Sequence, residues 1–532
     1  LQLVALHRLL LPRPHRATNR INIGSIMRLL SLLLVSISLM RAQKPNCESL
    51  AQAKLNRASI ASASESNGVC VVALVARPTK DSEINIEVRL PLANWNGRYQ
   101  QYGNGGWAGA INTGTLKAAS KEGYVAAATD DGHARGAGDA AWAVGHPEKL
   151  IDFGHRAVHV TSVHAKALIN ALYGKAPSKN YFLGCSDGGR EALMEAQRYP
   201  EDFDGILAGA PANDWSHLFT GFIWNEQALL KDEASFIPAS KLPAIQKAVV
   251  AACDSVDGVK DGLIEDPRQC RFDPNVLLCK DGATECLTKP QIEALAKIYA
   301  GPKNSRTGKQ IYPGFPPGTE AIAGGWAPWI IGNPREKSLQ FAFGNSYYGQ
   351  AVFEKMDWNF RSFEFDADID YGDRKAGVHL NSANPDLRSF RANGGRLIQY
   401  HGWGDAAIPA LGSIQYYDAV SEFFGRFPDA RAASPAKLAD FYRLFLVPGM
   451  GHCAGGLGAN QFGQSGSAPT DPERNIVVAL ERWVEQGTAP DKIIATGTGG
   501  LSRPLCPYPQ VVRYNGTGNP NEAASFSCAA AK

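Results

Sequence analysis

The sequence predicts an α/β fold built on a mostly parallel sheet, and three observations predict it. Short apolar runs alternate with amphipathic stretches between Tyr124 and Gly209, a rhythm that calls for parallel strands covered by helices on both faces. Ser186, Asp405 and His452 each lie just past a run that reads as a strand. Between the first and second of these, over residues 214–385, the alternation lapses and then resumes, as an inserted domain requires.

The N-terminal part divides in two. Met27 to Ala42 has a basic start, a short apolar stretch and a small residue before a polar chain, the pattern of a secretory signal peptide too short for a membrane span. Residues 1–26 are Arg-rich without a core pattern and read as a spurious extension. The first part of the core is then expected over residues 43–213. Val69 to Val75, Ile84 to Leu90 and Arg98 to Tyr102 are apolar or alternating runs broken by Pro, Asn and Gly, as strands are. Tyr124 to Thr129 reads as a strand, 149–173 as a long helix, Tyr181 to Leu183 as a strand, Arg190 to Tyr199 as a helix, and Gly205 to Gly209 as a strand. The second part, residues 386–532, resumes with strands at Arg396 to Tyr400 and Tyr442 to Val447.

Composition narrows the function. Lys and Arg total 54 against 51 Asp and Glu, a net charge of +3 with no basic cluster, so nothing favours nucleic acid and a small soluble substrate is the default partner. The ten cysteines are an even number, contain no C-x-x-C pair, and follow an export signal, which argues for disulfides and an oxidising compartment. Sequence alone does not assign their connectivity. Local neighbours suggest Cys47 with Cys70, Cys253 with Cys270, Cys279 with Cys286 and Cys506 with Cys528, which leaves Cys185 for Cys453.

Gly184-Cys185-Ser186-Asp187-Gly188 fits the G-x-S-x-G nucleophile elbow, a pattern common enough by chance that its context must decide. Here a strand precedes it and a helix follows. The order Ser186, Asp405, His452 is that of α/β-hydrolases, with Ser186 as nucleophile, His452 as base and Asp405 orienting the imidazole. His401 is a rival base, but it precedes the acid; Asp187 is a rival acid, but its side chain points away from the base. His155 and His159 share a helix face without the Glu of a zinc motif, so packing is their expected role. The oxyanion is expected to meet the Asp187 amide and a second amide from the Gly-rich stretch Tyr102 to Gly109, with Gly106 favoured and Gly105 next.

The insertion carries Cys253-Asp254-Ser255-Val256-Asp257-Gly258-Val259-Lys260-Asp261-Gly262-Leu263. Three carboxylates crowded into eight positions repel unless a cation lies among them, and oxygen-only ligands suit Ca2+, with the Val259 and Leu263 carbonyls as further donors. The spacing is not that of an EF-hand, and a solvated acidic turn is the competing reading.

Together these segments resemble the tannase and feruloyl esterase family of α/β-hydrolases, which also includes mono(hydroxyethyl) terephthalate hydrolases. The resemblance rests on Gly184 to Arg190, on Tyr400-His401-Gly402-Trp403-Gly404-Asp405, and on Pro448-Gly449-Met450-Gly451-His452-Cys453, and it covers nearly all of the chain after the signal. It implies a Cys185–Cys453 bond beside the nucleophile and base, the local pairing of the other eight cysteines, and a lid domain with a structural calcium on Asp254, Asp257 and Asp261. The expected activity is that of a secreted serine esterase acting on feruloyl, galloyl or related phenolic esters through an acyl-enzyme, without an organic cofactor. A terephthalate-type monoester hydrolase, a serine peptidase and a non-catalytic phenolic- or carbohydrate-binding protein are the alternatives. Trp107 and Trp403, near the oxyanion and acid segments, are candidates to grip the aromatic ring, with core packing as their competing role. Residues after Lys303 match only loosely, so the acid and alcohol of the ester stay open.

Overall fold

The computed structural model describes residues 46–280, 285–426, 438–466 and 470–531. The expected signal peptide, Met27 to Ala42, and the extension before it lie outside these residues. From Cys47 onward the chain forms one compact unit.

Its frame is a nine-stranded sheet in the order β1-β2-β3-β5-β4-β6-β7-β8-β9. The strands are β1 (Ala58–Ser66), β2 (Val69–Ala76), β3 (Ile84–Pro91), β4 (Arg98–Tyr102), β5 (Val125–Thr129), β6 (Lys179–Cys185), β7 (Gly205–Gly209), β8 (Arg396–Gly402) and β9 (Tyr442–Val447). Strands β5 to β9, with β4 among them, run parallel, whereas β1, β2 and β3 pair antiparallel and β3 joins β5 antiparallel. The sequence patterns account for this division. Buried and half-buried positions alternate along β2 and β3, whereas β5 and β7 are buried throughout, as central parallel strands are.

Helices α1 (Thr113–Lys121), α2 (Ala157–Tyr173), α3 (Asp187–Arg198) and α6 (Leu411–Arg426) lie in the connections of this sheet, and α7 (Ile476–Gln486) follows its last strand, β9. The predicted helix over 149–173 is continuous in space but not uniform, because Asp152–Arg156 forms a wide π turn between two α segments. That turn presents the Phe153 and Gly154 carbonyls to the Arg190 guanidinium. Strand β1 and helices α1, α6 and α7 are additions to the sequence reading.

The insertion leaves after β7 and returns before β8, two strands that are parallel neighbours. Among its described residues it is helical and contributes no strand to the sheet; its first two long helices are α4 (Trp215–Leu229) and α5 (Leu242–Cys253). Its stem is closed by the Ser382 amide on the Asn213 carbonyl at 2.7 Å and by contacts of Ser216 with Asn381. Its core is not separate from the rest, since Trp107 of the β4 loop packs edge-on against Trp215 of α4 with ring centroids 4.5 Å apart. Five disulfides tie the unit: Cys47–Cys70, Cys185–Cys453, Cys253–Cys270, Cys279–Cys286 and Cys506–Cys528, the local pairing with its long-range remainder. No helix among the described residues is long and apolar enough to cross a membrane.

Candidate active site

Strand β6 ends at Cys185, α3 begins at Asp187, and Ser186 lies at the corner between them with φ 68°. This left-handed geometry is costly for a residue with a Cβ and marks a position held by its surroundings. Glycines make the corner possible: a Cβ on Gly188 would stand 2.9 Å from the Asn104 carbonyl oxygen, so only a bare backbone lets α3 approach the β4 loop.

His452 follows β9 in a Gly-rich turn, and its Nε2 lies 2.9 Å from the Ser186 Oγ. On the other side its Nδ1 lies 2.8 Å from Asp405 Oδ2. Three residues distant in sequence thus form one hydrogen-bonded line. Such an imidazole can take the hydroxyl proton while the carboxylate steadies the resulting charge.

Asp405 is fully enclosed, yet each oxygen is satisfied. Oδ1 accepts from the Ala407 and Ile408 amides at 2.8 and 2.9 Å, and Oδ2 meets both His452 and, at 3.2 Å, His401 Nε2. Burial pushes this carboxyl upward, but the His452 charge and the hydrogen bonds from His401 and His452 outweigh it and hold it well below the usual carboxylate range. His401, the rival base, is thereby placed. Its Nε2 faces only acceptors, the Asp405 carboxylate and the Ile408 carbonyl, so that nitrogen carries the hydrogen and Nδ1 accepts from the Ser413 hydroxyl at 2.7 Å. His401 supports the acid and does not face the serine.

The Cys185–Cys453 bond joins the residue before the serine to the residue after the histidine, with Cα atoms 6.0 Å apart across 268 positions of sequence. It fixes the two loops to each other.

A cavity of about 50 Å3 opens on Ser186. Gly106 and Asp187 line it, and among the described residues neither amide donates to another backbone carbonyl, so both are available to an oxyanion. The Asp187 side chain is turned away as expected, onto Arg190, whose guanidinium is fully buried and also donates to the Gly154 and Phe153 carbonyls. The remaining walls are Ala212, Trp215, Leu218, Phe219, Phe222, Trp329, Phe343, Ala407 and Ile408. Trp329, Phe343 and Phe219 stand nearly parallel at successive centroid spacings of 6.0 and 6.2 Å, and Trp329 meets His452 edge-on at 5.3 Å.

Trp107 and Trp403 are not among these walls. Trp107 is fully buried, its indole N–H donating to Ser346 Oγ at 2.8 Å, and packs among Trp142, Phe153 and Trp215. Trp403 lies under the Arg268 guanidinium and lines a larger cavity of about 320 Å3 that contains none of the three residues of the line. The proposed grip of these two indoles is therefore corrected to core and wall packing. A signal for the true wall was present in the sequence: Trp215, Leu218, Phe219 and Phe222 recur at i, i+3, i+4 and i+7, one face of α4.

The His155 and His159 pair holds no metal geometry; His155 bonds the Tyr199 hydroxyl at 2.7 Å and His159 bonds Asp202 at 2.6 Å.

The acidic loop wraps on two left-handed glycines, Gly258 and Gly262. Asp254 accepts from the Gly262 amide at 2.9 Å, Asp257 from the Val259 and Glu265 amides at 3.0 and 3.1 Å, and Asp261 from the Leu263 amide at 3.1 Å and from Arg503. In this arrangement the three carboxylates face amides rather than one common point; among the described residues the acidic trio that does converge is Asp131, Asp187 and Glu191. The chemistry of the loop nonetheless fits a hard cation. Of the four acids Asp254, Asp257, Asp261 and Glu265, only Asp261 and Glu265 meet the Arg503 guanidinium, the Val259 and Leu263 carbonyls accept no hydrogen bond among the described residues, and burial with mutual repulsion pushes Asp257 upward.

The comparisons with known proteins agree with this geometry. A family model described as tannase and feruloyl esterase matches residues 70–529. An uncharacterized esterase of Xanthomonas campestris pv. campestris is 42% identical over 483 residues, covering 86% of this chain and 84% of its own length. A probable feruloyl esterase B-2 of Aspergillus terreus is 33% identical over 496 residues, covering 88% of this chain and 87% of its own. The crystal structure of feruloyl esterase B from Aspergillus oryzae superposes with a TM-score of 0.82 at 29% identity, covering 91% of this chain and 99% of that one. The α/β-hydrolase core, the family-model match and the esterase relatives lead to one assignment: this chain belongs to the tannase and feruloyl esterase family and is a carboxylic ester hydrolase.

Proposed function

We propose that the chain is an exported serine esterase that cleaves esters of uncharged aromatic acids through an acyl-enzyme on Ser186. The observation that carries this reading is the ring-walled cavity ending at a serine whose Oγ lies 2.9 Å from His452. Ser186 Oγ attacks the ester carbonyl as its proton passes to His452 Nε2, and the Gly106 and Asp187 amides receive the oxyanion. Collapse expels the alcohol, which takes the proton from His452; water then repeats the sequence in reverse and releases the acid. The insertion acts as a lid, and Trp329, Phe343 and Phe219 grip the acyl ring.

The wall composition orders the substrates. Among the described residues it offers no cationic side chain, so a terephthalate monoester must bury its free carboxylate unpaired, and this alternative is disfavoured against feruloyl esters. A galloyl ring with three hydroxyls also finds few partners there.

Purified protein assayed on methyl ferulate, methyl gallate, mono(hydroxyethyl) terephthalate and p-nitrophenyl acetate tests the reading. Turnover should be highest on methyl ferulate, and Ser186→Ala should lower kcat by about 10^4-fold or more. A Ser186→Ala variant with the parent's turnover, or a preference for the charged substrate, overturns it.

Export is supported by the five disulfides, which persist in oxidising compartments. We also propose a structural Ca2+ held by Asp254, Asp257, Asp261 and the Val259 and Leu263 carbonyls. Bound there, the ion neutralises the crowded carboxylates and rigidifies the insertion. EDTA followed by a thermal melt should lower Tm by about 5 °C or more, and added Ca2+ should restore it. An unchanged melt removes the ion from the account.

A further inference from the structure

A pair of buried carboxyl groups outside the catalytic line stands beside the oxyanion loop. Glu191, in the second turn of the elbow helix, and Asp131, just past β5, are fully enclosed, and their oxygens lie within 4.8 Å of each other. Both reach Asn104. Glu191 Oε2 accepts from the Asn104 amide at 2.9 Å, and Asp131 Oδ2 accepts from the Asn104 side-chain amide at 2.7 Å. The same side chain donates to the Thr129 carbonyl at 3.0 Å, and the Asn104 carbonyl accepts from the Gly188 amide at 2.7 Å. The backbone amide, backbone carbonyl and side-chain NH2 of Asn104 are thus held from the end of β5 or from the elbow helix. Asn104 stands two residues before Gly106, the expected second oxyanion donor.

We propose that Asp131 and Glu191 are positioning residues for catalysis: together they grip Asn104 and so fix the Gly106 amide against the Asp187 amide across the serine. The inference rests on the serine-esterase reading and adds to it the groups that align the two halves of its oxyanion hole.

The remaining oxygens explain why two acids stand here. Asp131 Oδ1 and Glu191 Oε1 are buried without another hydrogen-bond partner. Two carboxylates this close and this dry do not both ionise; one proton between them satisfies both orphaned oxygens. Burial, then the Asp187 charge, pushes Glu191 up to about 7, and burial followed by Glu191 raises Asp131 well above the carboxylate range. Asp187 and Arg190, which are committed to each other, and the buried Glu195 one turn further along the elbow helix are the other titratable groups that act on the pair. Gly103 completes the fit: a Cβ there would meet Glu191 Oε2 at 2.5 Å.

The test separates positioning from folding. Glu191→Ala and Asn104→Ala should each lower kcat on methyl ferulate by about 10²-fold with KM within about threefold of the parent, the signature of a donor displaced from the oxyanion. Glu191→Gln should restore kcat to within about threefold, because a carboxamide accepts from the Asn104 amide and donates permanently to Asp131. Should Glu191→Ala fail to fold, Asn104→Ala, which leaves both carboxyls in place, carries the measurement. Alanine variants with kcat within threefold of the parent overturn the proposal, as does a Glu191→Gln variant as impaired as Glu191→Ala. Elemental analysis supplies a further outcome: loss of one equivalent of metal from Asp131→Asn relative to the parent replaces the proton with a cation and overturns the pair as drawn. Ser186→Ala runs beside them. If it retains activity the serine reading itself falls, whereas an inactive Ser186→Ala beside a fully active Glu191→Ala removes only this inference.

Discussion

Ser186 is held in a left-handed conformation with its hydroxyl aimed at His452, and the ring wall begins where that hydroxyl ends. Trp329 joins the two, since it meets the imidazole edge-on and stacks along Phe343. Removing its ring should therefore act on the acyl group more than on the proton transfer. Trp329→Ala is expected to reduce kcat/KM for methyl ferulate by about tenfold or more while p-nitrophenyl acetate changes by less than about threefold, measured by initial rates on both esters. An equal loss on both places Trp329 in the chemistry instead. At this scale the sequence told much of the Ser186–His452–Asp405 line and little of its support. Ser186, Asp405 and His452 stand in short Gly-rich motifs after strands, a local pattern. The wall residues, His401's second bond to Asp405, and the Asp131–Glu191 pair depend on side chains meeting across long separations, which no local period displays.

Helix α4 both lines the cavity and packs into the core that the insertion shares with the rest of the chain. Its Trp215, Leu218, Phe219 and Phe222 face the cavity, while Glu226 is buried and accepts from the Ser338 hydroxyl at 2.7 Å. Burial pushes Glu226 up to about 8. Between the ordinary carboxyl value of about 4.3 in the unfolded chain and that raised value, the folded state holds a proton that the unfolded state has lost. Stability attributable to Glu226 is therefore full below the lower bound and declines as pH rises through the window. Glu226→Gln, which keeps a neutral partner for Ser338, should raise Tm by about 2 °C or more at pH 8 and by less at pH 5, read by calorimetry at both values. A gain that does not depend on pH contradicts the assignment. The strands were legible as elements because β7 and β9 are dense apolar runs with sharp ends. Strand β1 was not: Ala58 to Ser66 is rich in Ser and mostly exposed, and only its pairing with β2 makes it a strand.

For the molecule as a whole, the Cys185–Cys453 bond closes the longest disulfide loop, 268 positions. On the chain-entropy account such closure stabilises by about 5 kcal/mol, and it also holds His452 to the serine corner. The double variant Cys185→Ser/Cys453→Ser should therefore lose both thermal stability and at least about tenfold in kcat, and its kcat should stay low at temperatures far below its own Tm. Full activity at low temperature would assign the bond to stability alone. The parallel sheet and the bounds of the insertion followed from rhythm, since strand patterns stop after Gly209 and return at Arg396. How the insertion packs did not, because its aromatic and Pro-rich stretches carry no regular period.

The closed stem of that insertion has a consequence for recombination among relatives. Its two ends emerge from neighbouring parallel strands and are already tied together, so exchange at residues 213 and 382 leaves the register of the sheet untouched. The exchanged piece, however, carries half of an aromatic cluster whose other half, Trp107, Trp142 and Phe153, stays behind. A graft cut only at the stem inherits a mismatched seam, whereas one that also transplants residues 104–156 brings its own counterpart.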